Sequence, residues 1–131
     1  MEDKDLVKYA SQAKQYSYSP YSKFRVGAAI LTQEDKIYTG ANIENASFGA
    51  TCCAERTAVF KAVSEGETRI KAVAIASDEE DYIYPCGICR QVLAEFCDME
   101  TKILCSNKKE EFVTYRLGEL LPQAFTKFKS K

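Results

Sequence analysis

The 131-residue sequence predicts an α/β layer sandwich built on a mixed sheet. Three observations carry that expectation. An amphipathic helical pattern opens the chain, two short β-favouring runs follow as a hairpin, and helical and strand patterns then alternate to the end. One domain spanning residues 1–131 is expected, because a chain this long buries roughly two thirds of its unfolded surface around a single core. Hydrophobic residues make up 46% and charged residues 28%, which is ordinary globular usage and excludes a disordered or fibrous chain.

Each element has its own signal. From Asp3 to Tyr16, Leu6, Val7, Ala10 and Ala13 recur at helical spacing, and Ser17-Tyr18-Ser19-Pro20 breaks the pattern, since Pro20 lacks an amide donor and disfavours helix at Ser19. Arg25 to Leu31 and Lys36 to Gly40 read as a hairpin around Gln33-Glu34-Asp35. The polar stretch Ala41 to Thr51 reads as a loop. A helix is expected from Cys53 to Glu65, with Ala54, Ala58, Val59, Ala62 and Val63 on its apolar face and Gly66 as its stop. Ile70 to Ala76 is a buried strand, Asp78 to Tyr84 an acidic loop, and Cys86 to Phe96 a third helix. Lys102 to Cys105 and Glu111 to Tyr115 are later strands, and Leu117 to Leu121 is a short helix ended by Pro122.

Composition narrows the function. A formal net charge of −1 gives no reason to expect a polyanionic partner, so a small molecule is the expected substrate and no nucleic-acid polymer is expected. No apolar run approaches the roughly 20 residues that span a bilayer, so no membrane partner is expected. The first residues lack a secretory pattern, and the cytoplasm is the expected address. The six cysteines therefore point to metal ligation or free thiols more than to disulfides. Histidine is absent, which removes imidazole-dependent triads and leaves any zinc site to Cys with Asp or Glu.

Two stretches concentrate the chemistry: Cys53-Ala54-Glu55-Arg56 and Pro85-Cys86-Gly87-Ile88-Cys89. Three thiolates with one isolated carboxylate are what a catalytic Zn²⁺ needs, because a structural zinc site takes four protein ligands and a catalytic one takes three. Cys86 and Cys89, three apart, share one side of a first helical turn. Cys53 and Glu55, two apart, can serve the same site only if Cys53 stands at the start of its helix. Two helix N-termini are thus expected to converge from one face of the sheet. Three thiolates on Zn²⁺ leave a formal charge of −1, and Arg56, three residues beyond Cys53, is placed to offset it by donating to sulfur.

These residues resemble the zinc nucleoside deaminases, and specifically the free-nucleoside cytidine deaminases. Cys53-Ala54-Glu55-Arg56 followed by Pro85-Cys86-Gly87-x-Cys89-Arg90-Gln91 carries the likeness. Phe24 to Ala29, Asn42 to Ser47 and Leu120 to Phe125 extend it in the same order over nearly the whole chain. The resemblance implies a three-layer α/β/α sandwich on a mixed five-stranded sheet, and hydrolytic deamination of cytidine and 2′-deoxycytidine in pyrimidine salvage. It implies one Zn²⁺ per subunit on Cys53, Cys86 and Cys89, with Glu55 shuttling protons. Asn42 and Glu44 would hold the ribose 3′-hydroxyl, Phe24 would pack on the base, and the Ala54 amide would meet the pyrimidine carbonyl. Phe125 would reach over a neighbouring subunit's substrate in a homotetramer with shared sites.

Some residues depart from that pattern. Cys52 beside Cys53 creates a ligand ambiguity, Arg25 stands where the family often has Pro, and Phe48 where Tyr is common. Arg90 and Gln91 read either as braces of the site or as solvated helix surface. Cys97 and Cys105 read as small buried hydrophobes, and Lys127, Lys129 and Lys131 as a solvated tail. The competing functions are a deaminase of a nucleoside antibiotic such as blasticidin S, a deaminase of polynucleotide bases, and a non-catalytic zinc-stabilised binding module.

Overall fold

In the computed structural model, which describes residues 1–126, a five-stranded sheet runs in the order β2-β1-β3-β4-β5. The strands are β1 (Val26–Thr32), β2 (Ile37–Ala41), β3 (Ile70–Ser77), β4 (Lys102–Ser106) and β5 (Phe112–Arg116). The β3–β4 pair is parallel and the other three pairs are antiparallel, so the sheet is mixed. The helices are α1 (Asp3–Ala13), α2 (Ala54–Ser64), α3 (Gly87–Phe96) and the single turn α4 (Leu117–Leu120). The lysines of the tail lie outside the described residues.

Alternation along β3 divides the interior into two layers. Val73 and Ile75 point to one face, where they meet Ala58, Val59 and Ala62 of α2 and Leu93 of α3. Ala72, Ala74 and Ala76 point to the other, where Leu6, Val7 and Ala10 of α1 cover them. Both faces are covered, which is why β3 reads as a continuous apolar run rather than an alternating one. The result is the expected three-layer α/β/α arrangement, with α2 and α3 on the same face.

Two glycines set how closely the helices approach. A Cβ on Gly27 would lie 2.1 Å from the Ala10 carbonyl oxygen, so only glycine lets α1 settle on β1. A Cβ on Gly40 would lie 2.5 Å from the Ala58 amide nitrogen and 2.9 Å from the Ala54 carbonyl oxygen, so the first turn of α2 rests directly on β2. The second contact matters for chemistry, because it positions the helix start that carries Cys53.

Local boundaries follow the expected signals with small shifts. The first helix ends at Ala13 and tightens into a 3₁₀ turn over Lys14–Tyr16, a common way for a helix to finish. Gly66 follows α2 with φ +92, the left-handed conformation that stops a helix. Asp35 in the β1–β2 turn also has positive φ, which Asp tolerates better than most residues.

Both glycine contacts are with backbone atoms and leave no flexible side chain to yield. Gly27→Ala and Gly40→Ala should each cost about 1–3 kcal/mol or more in denaturant unfolding. Only Gly40→Ala should also weaken retention of zinc, measured by competition with a chelator.

Candidate active site

Cys53 is the N-cap of α2 and Cys86 the N-cap of α3, both with extended backbone, while Cys89 lies in the first turn of α3. The Cys53 and Cys86 Sγ atoms are 3.8 Å apart, those of Cys86 and Cys89 are 3.5 Å apart, and all three lie within 4.8 Å of one another. Two sulfurs each bound at about 2.3 Å to a tetrahedral zinc would be separated by about 3.8 Å. The donor set therefore fits Zn²⁺ in both chemistry and spacing. Cys52 lies outside the cluster. Its amide and carbonyl pair with Ile43 at 2.9 Å in each direction, a bridge that helps fix the approach to α2.

The charge environment favours thiolate at Cys53, and the hydrogen bond that Cys89 gives it, with burial, holds Cys89 in its protonated form. The Cys53 thiol is pulled down to about 5, first by a hydrogen bond from Cys89 and further by Arg56, against the effect of burial. Arg56 donates from Nη2 to Cys53 Sγ at 3.5 Å and to the Thr51 carbonyl at 3.3 Å. The same contact to Cys53 pushes the guanidinium further into its charged form. Arg56 Nε is buried without a hydrogen-bond partner among the described residues, so an uncompensated donor dipole sits close to the sulfurs. The N-termini of α2 and α3 add positive potential from their free amides.

Glu55 is 4% exposed, on the first turn of α2. Burial raises its pKa to about 7, and the Cys53 thiolate adds to the shift. A carboxyl poised there can accept a proton and release it near neutral pH. Glu55 lines a cavity of about 200 Å³ with Phe24, Asn42, Cys53, Ala54 and Tyr84 among its walls. A second, more open hollow of about 410 Å³ shares Thr51 with the first and is bordered by Glu44, Tyr21 and Phe48.

The two loop polar residues are already at work within the chain. Asn42 is 8% exposed; its Oδ1 accepts from the Val26 amide at 3.0 Å and from Ser17 Oγ, and its Nδ2 donates to the Phe24 carbonyl at 2.8 Å. Glu44 accepts from the Tyr21 and Ser22 amides at 2.9 and 3.1 Å and from the Ser22 hydroxyl. The loop-stabilising role of both residues is thus real. It leaves one Asn42 amide proton and spare Glu44 lone pairs for a ligand.

Phe24 packs against the main core and also lines the cavity. Phe125 is 65% exposed, outside the cavity walls of its own chain. Cys105 is fully buried and Cys97 partly so; burial pushes each thiol up to about 12, as inert packing residues require. Arg90 and Gln91 are half-buried, and both donate hydrogen bonds to backbone carbonyls. Phe48 is 76% exposed and meets Tyr21 edge-to-face at 6.1 Å.

The sequence reading missed Ile83 and Tyr84 as cavity walls, although their place just before Pro85-Cys86 was a usable signal. It also missed what Arg25 does. The guanidinium forks onto Asp78 at 2.7 and 3.2 Å, and Lys14 Nζ reaches the same carboxylate at 3.1 Å. Arg25 adjoins Phe24, and Asp78 opens the loop that leads to Tyr84 and Cys86. One ionic cluster therefore ties together the segments behind two walls of the cavity.

A three-layer α/β fold that gathers three thiols and a buried carboxyl at two adjacent helix starts defines a zinc hydrolase of the deaminase type. Residues 1–105 match the family described as the cytidine and deoxycytidylate deaminase zinc-binding region. A cytidine deaminase of Halalkalibacterium halodurans is 48% identical over 126 residues, covering 96% of each chain. One from Sporosarcina psychrophila is 46% identical over 127 residues, covering 97% of this chain and 93% of the relative. The crystal structure of cytidine deaminase from Burkholderia pseudomallei superposes with a TM-score of 0.91 at 38% identity, over 95% of this chain and all of that one. The chain belongs to the cytidine and deoxycytidylate deaminase family, whose zinc is matched here by the three-cysteine cluster.

Two outcomes check this geometry. Cys53→Ser should strip zinc from the purified protein while Cys52→Ser should leave one zinc per chain, as measured by elemental analysis. Asp78 has its pKa lowered, mainly by the hydrogen bond from Arg25 and then by Lys14, so its contribution is present above the unfolded-state value near 4 and fades as pH falls below it. Asp78→Asn should therefore cost up to about 1 kcal/mol, a modest figure because the pair is part-exposed. That deficit should be constant from pH 8 to pH 5 and shrink below about pH 4 in urea titrations.

Proposed function

We propose that the protein hydrolyses cytidine and 2′-deoxycytidine to uridine and 2′-deoxyuridine, serving pyrimidine salvage in the cytoplasm. The observation that carries the reading is the buried Glu55 carboxyl beside three clustered sulfurs in one cavity. Cys53, Cys86 and Cys89 would hold one Zn²⁺ per subunit. What the metal supplies when bound is Lewis acidity, which brings the pKa of a coordinated water towards about 7.

The chain's own residues do the rest. Glu55 accepts a proton from the attacking water and delivers it to N3 of the pyrimidine, which makes C4 electrophilic. A C4–O bond forms, the C4–N bond breaks, and Glu55 passes the second proton to the departing amine, so that one water is consumed and one ammonia released. The raised pKa of Glu55 suits both halves of that cycle. Arg56 holds negative charge on Cys53 and limits how far three thiolates weaken the site as an acid.

Recognition of a nucleoside is supported by the paired hollows. Phe24 and the Ala54 amide border the inner cavity, where a flat base would stack and its carbonyl would find a free helix-start donor. Asn42 borders the same cavity and Glu44 the outer one, on either side of Thr51, so a sugar 3′-hydroxyl between them would meet a donor and an acceptor. Phe125, exposed and outside its own chain's cavity, suits a role over a neighbour's site in a homotetramer. Residues 1–131 would act as one domain in each subunit. Among the described residues no helix is long and apolar enough to cross a membrane.

The test is a spectrophotometric cytidine assay with zinc quantified per chain. Wild-type protein should turn over cytidine and carry one zinc. Glu55→Gln should retain the zinc and lose roughly 10²–10⁴-fold in kcat. Zinc-replete wild-type protein inert toward cytidine, or zinc-replete Glu55→Gln with near-normal kcat, would falsify the proposal.

A further inference from the structure

Cys86 is the most exposed of the three clustered cysteines. It is also the one that arrives on irregular backbone, because residues 78–86 form no helix or strand between β3 and α3. Ile83, whose amide donates to the Ser106 carbonyl at 3.1 Å, anchors the middle of that segment. The last residues before the sulfur need a separate restraint.

Arg90 provides it from two directions. Its backbone amide donates to the Cys86 carbonyl at 2.9 Å, as the first turn of α3 requires. Its side-chain Nε donates to the carbonyl of buried Pro85 at 2.7 Å. The peptide planes on both sides of Cys86 are therefore held by one residue. The same guanidinium then turns outward, and its Nη1 donates to the Leu120 carbonyl at 2.9 Å. Next along the helix, Gln91 Nε2 donates to the Phe125 carbonyl at 2.6 Å. Two consecutive side chains beyond Cys89 thus capture the segment after β5, where Leu120, Leu121 and Ala124 pack on the main core.

We propose that Arg90 is a positioning residue for the metal loop, coupling the Cys86 backbone to the docked 120–125 segment so that this docking slows the loss of zinc. Arginine suits the task because its planar fork reaches two carbonyls in fixed relative positions, whereas lysine offers a single mobile ammonium. The cost of leaving the buried Pro85 carbonyl unpaired adds to the penalty for removing it. The inference rests on zinc binding at Cys53, Cys86 and Cys89 but not on any particular substrate. It also gives residues 120–125 a role inside their own subunit, independent of Phe125 at a neighbour's site.

The test measures zinc transfer from the full-length, zinc-loaded protein to the chromogenic chelator 4-(2-pyridylazo)resorcinol. Arg90→Ala should release zinc about 10-fold faster or more, the usual scale for losing a partner that orients a ligand, and Arg90→Lys should fall between it and wild type. Gln91→Ala should speed release in the wild-type background and add nothing in Arg90→Ala. Val113→Ala, a core truncation on β5, separates coupling from general loss of stability: it should lower the melting temperature while zinc release stays at the wild-type rate. Wild-type release by both Arg90→Ala and Arg90→Lys would overturn the proposal. So would fast release by Val113→Ala at an equal loss of melting temperature, or full additivity of Gln91→Ala with Arg90→Ala. If Arg90→Ala does not fold, Arg90→Lys decides alone. Wild-type protein that takes up no zinc would overturn the metal assignment itself, a failure distinct from an unchanged release rate in the variants.

Discussion

Cys53 and Cys86 each stand at the entrance of a helix, and the sheet must bring those two entrances close enough for their sulfurs to share one metal ion. Everything chemical in this protein depends on that convergence. It is produced by packing α2 and α3 side by side on one face and by the bare backbone of Gly40, which lets the first turn of α2 lie directly on β2. The 3.8 Å separation of the Cys53 and Cys86 sulfurs is the outcome, while the 3.5 Å between Cys86 and Cys89 is set within the first turn of α3. A helix entrance is also the favourable place for a thiolate, since its free amides and dipole stabilise negative charge there. The helix start that brings Cys53 to the cluster therefore also favours its thiolate.

Charge is the second constraint. Three thiolates around a divalent cation leave an excess negative charge, and Glu55 lies close enough to Cys53 to feel it. Arg56 opposes that excess through its contact with Cys53 Sγ. Burial and the nearby thiolate then hold the Glu55 carboxyl close to neutrality, where proton transfer in either direction is inexpensive. Arginine beside the sulfurs and a desolvated glutamate one residue away are two halves of one electrostatic arrangement, and both occupy the first turn of α2.

Much of this was legible in sequence because it is local. Pro20, Gly66 and the periodicities of residues 3–13 and 54–64 mark their elements through backbone rules that act over a few residues. The two-residue spacing of Cys53 and Glu55 likewise forces Cys53 to the start of its helix. What was not legible spans the chain. Arg25 finds Asp78 fifty-three positions away, and Arg90 finds Leu120 thirty positions away; both pairings exist only because the sheet order places those segments together. Asn42 and Glu44 could be singled out as polar loop residues, but their partners at Phe24, Val26, Tyr21 and Ser22 depend on how the 17–25 loop folds back over them. Tyr84 differs from these, since its place two residues before Cys86 was a local signal that it borders the metal cavity.

The central claim is a zinc ion held by three thiolates of this chain with its remaining position open to solvent or substrate. X-ray absorption at the zinc edge of the purified protein reads that donor set directly. The account predicts three sulfur neighbours near 2.3 Å and one oxygen near 2.0 Å; a shell of four sulfurs, which would require recruiting Cys52, or one with fewer than three, would contradict it.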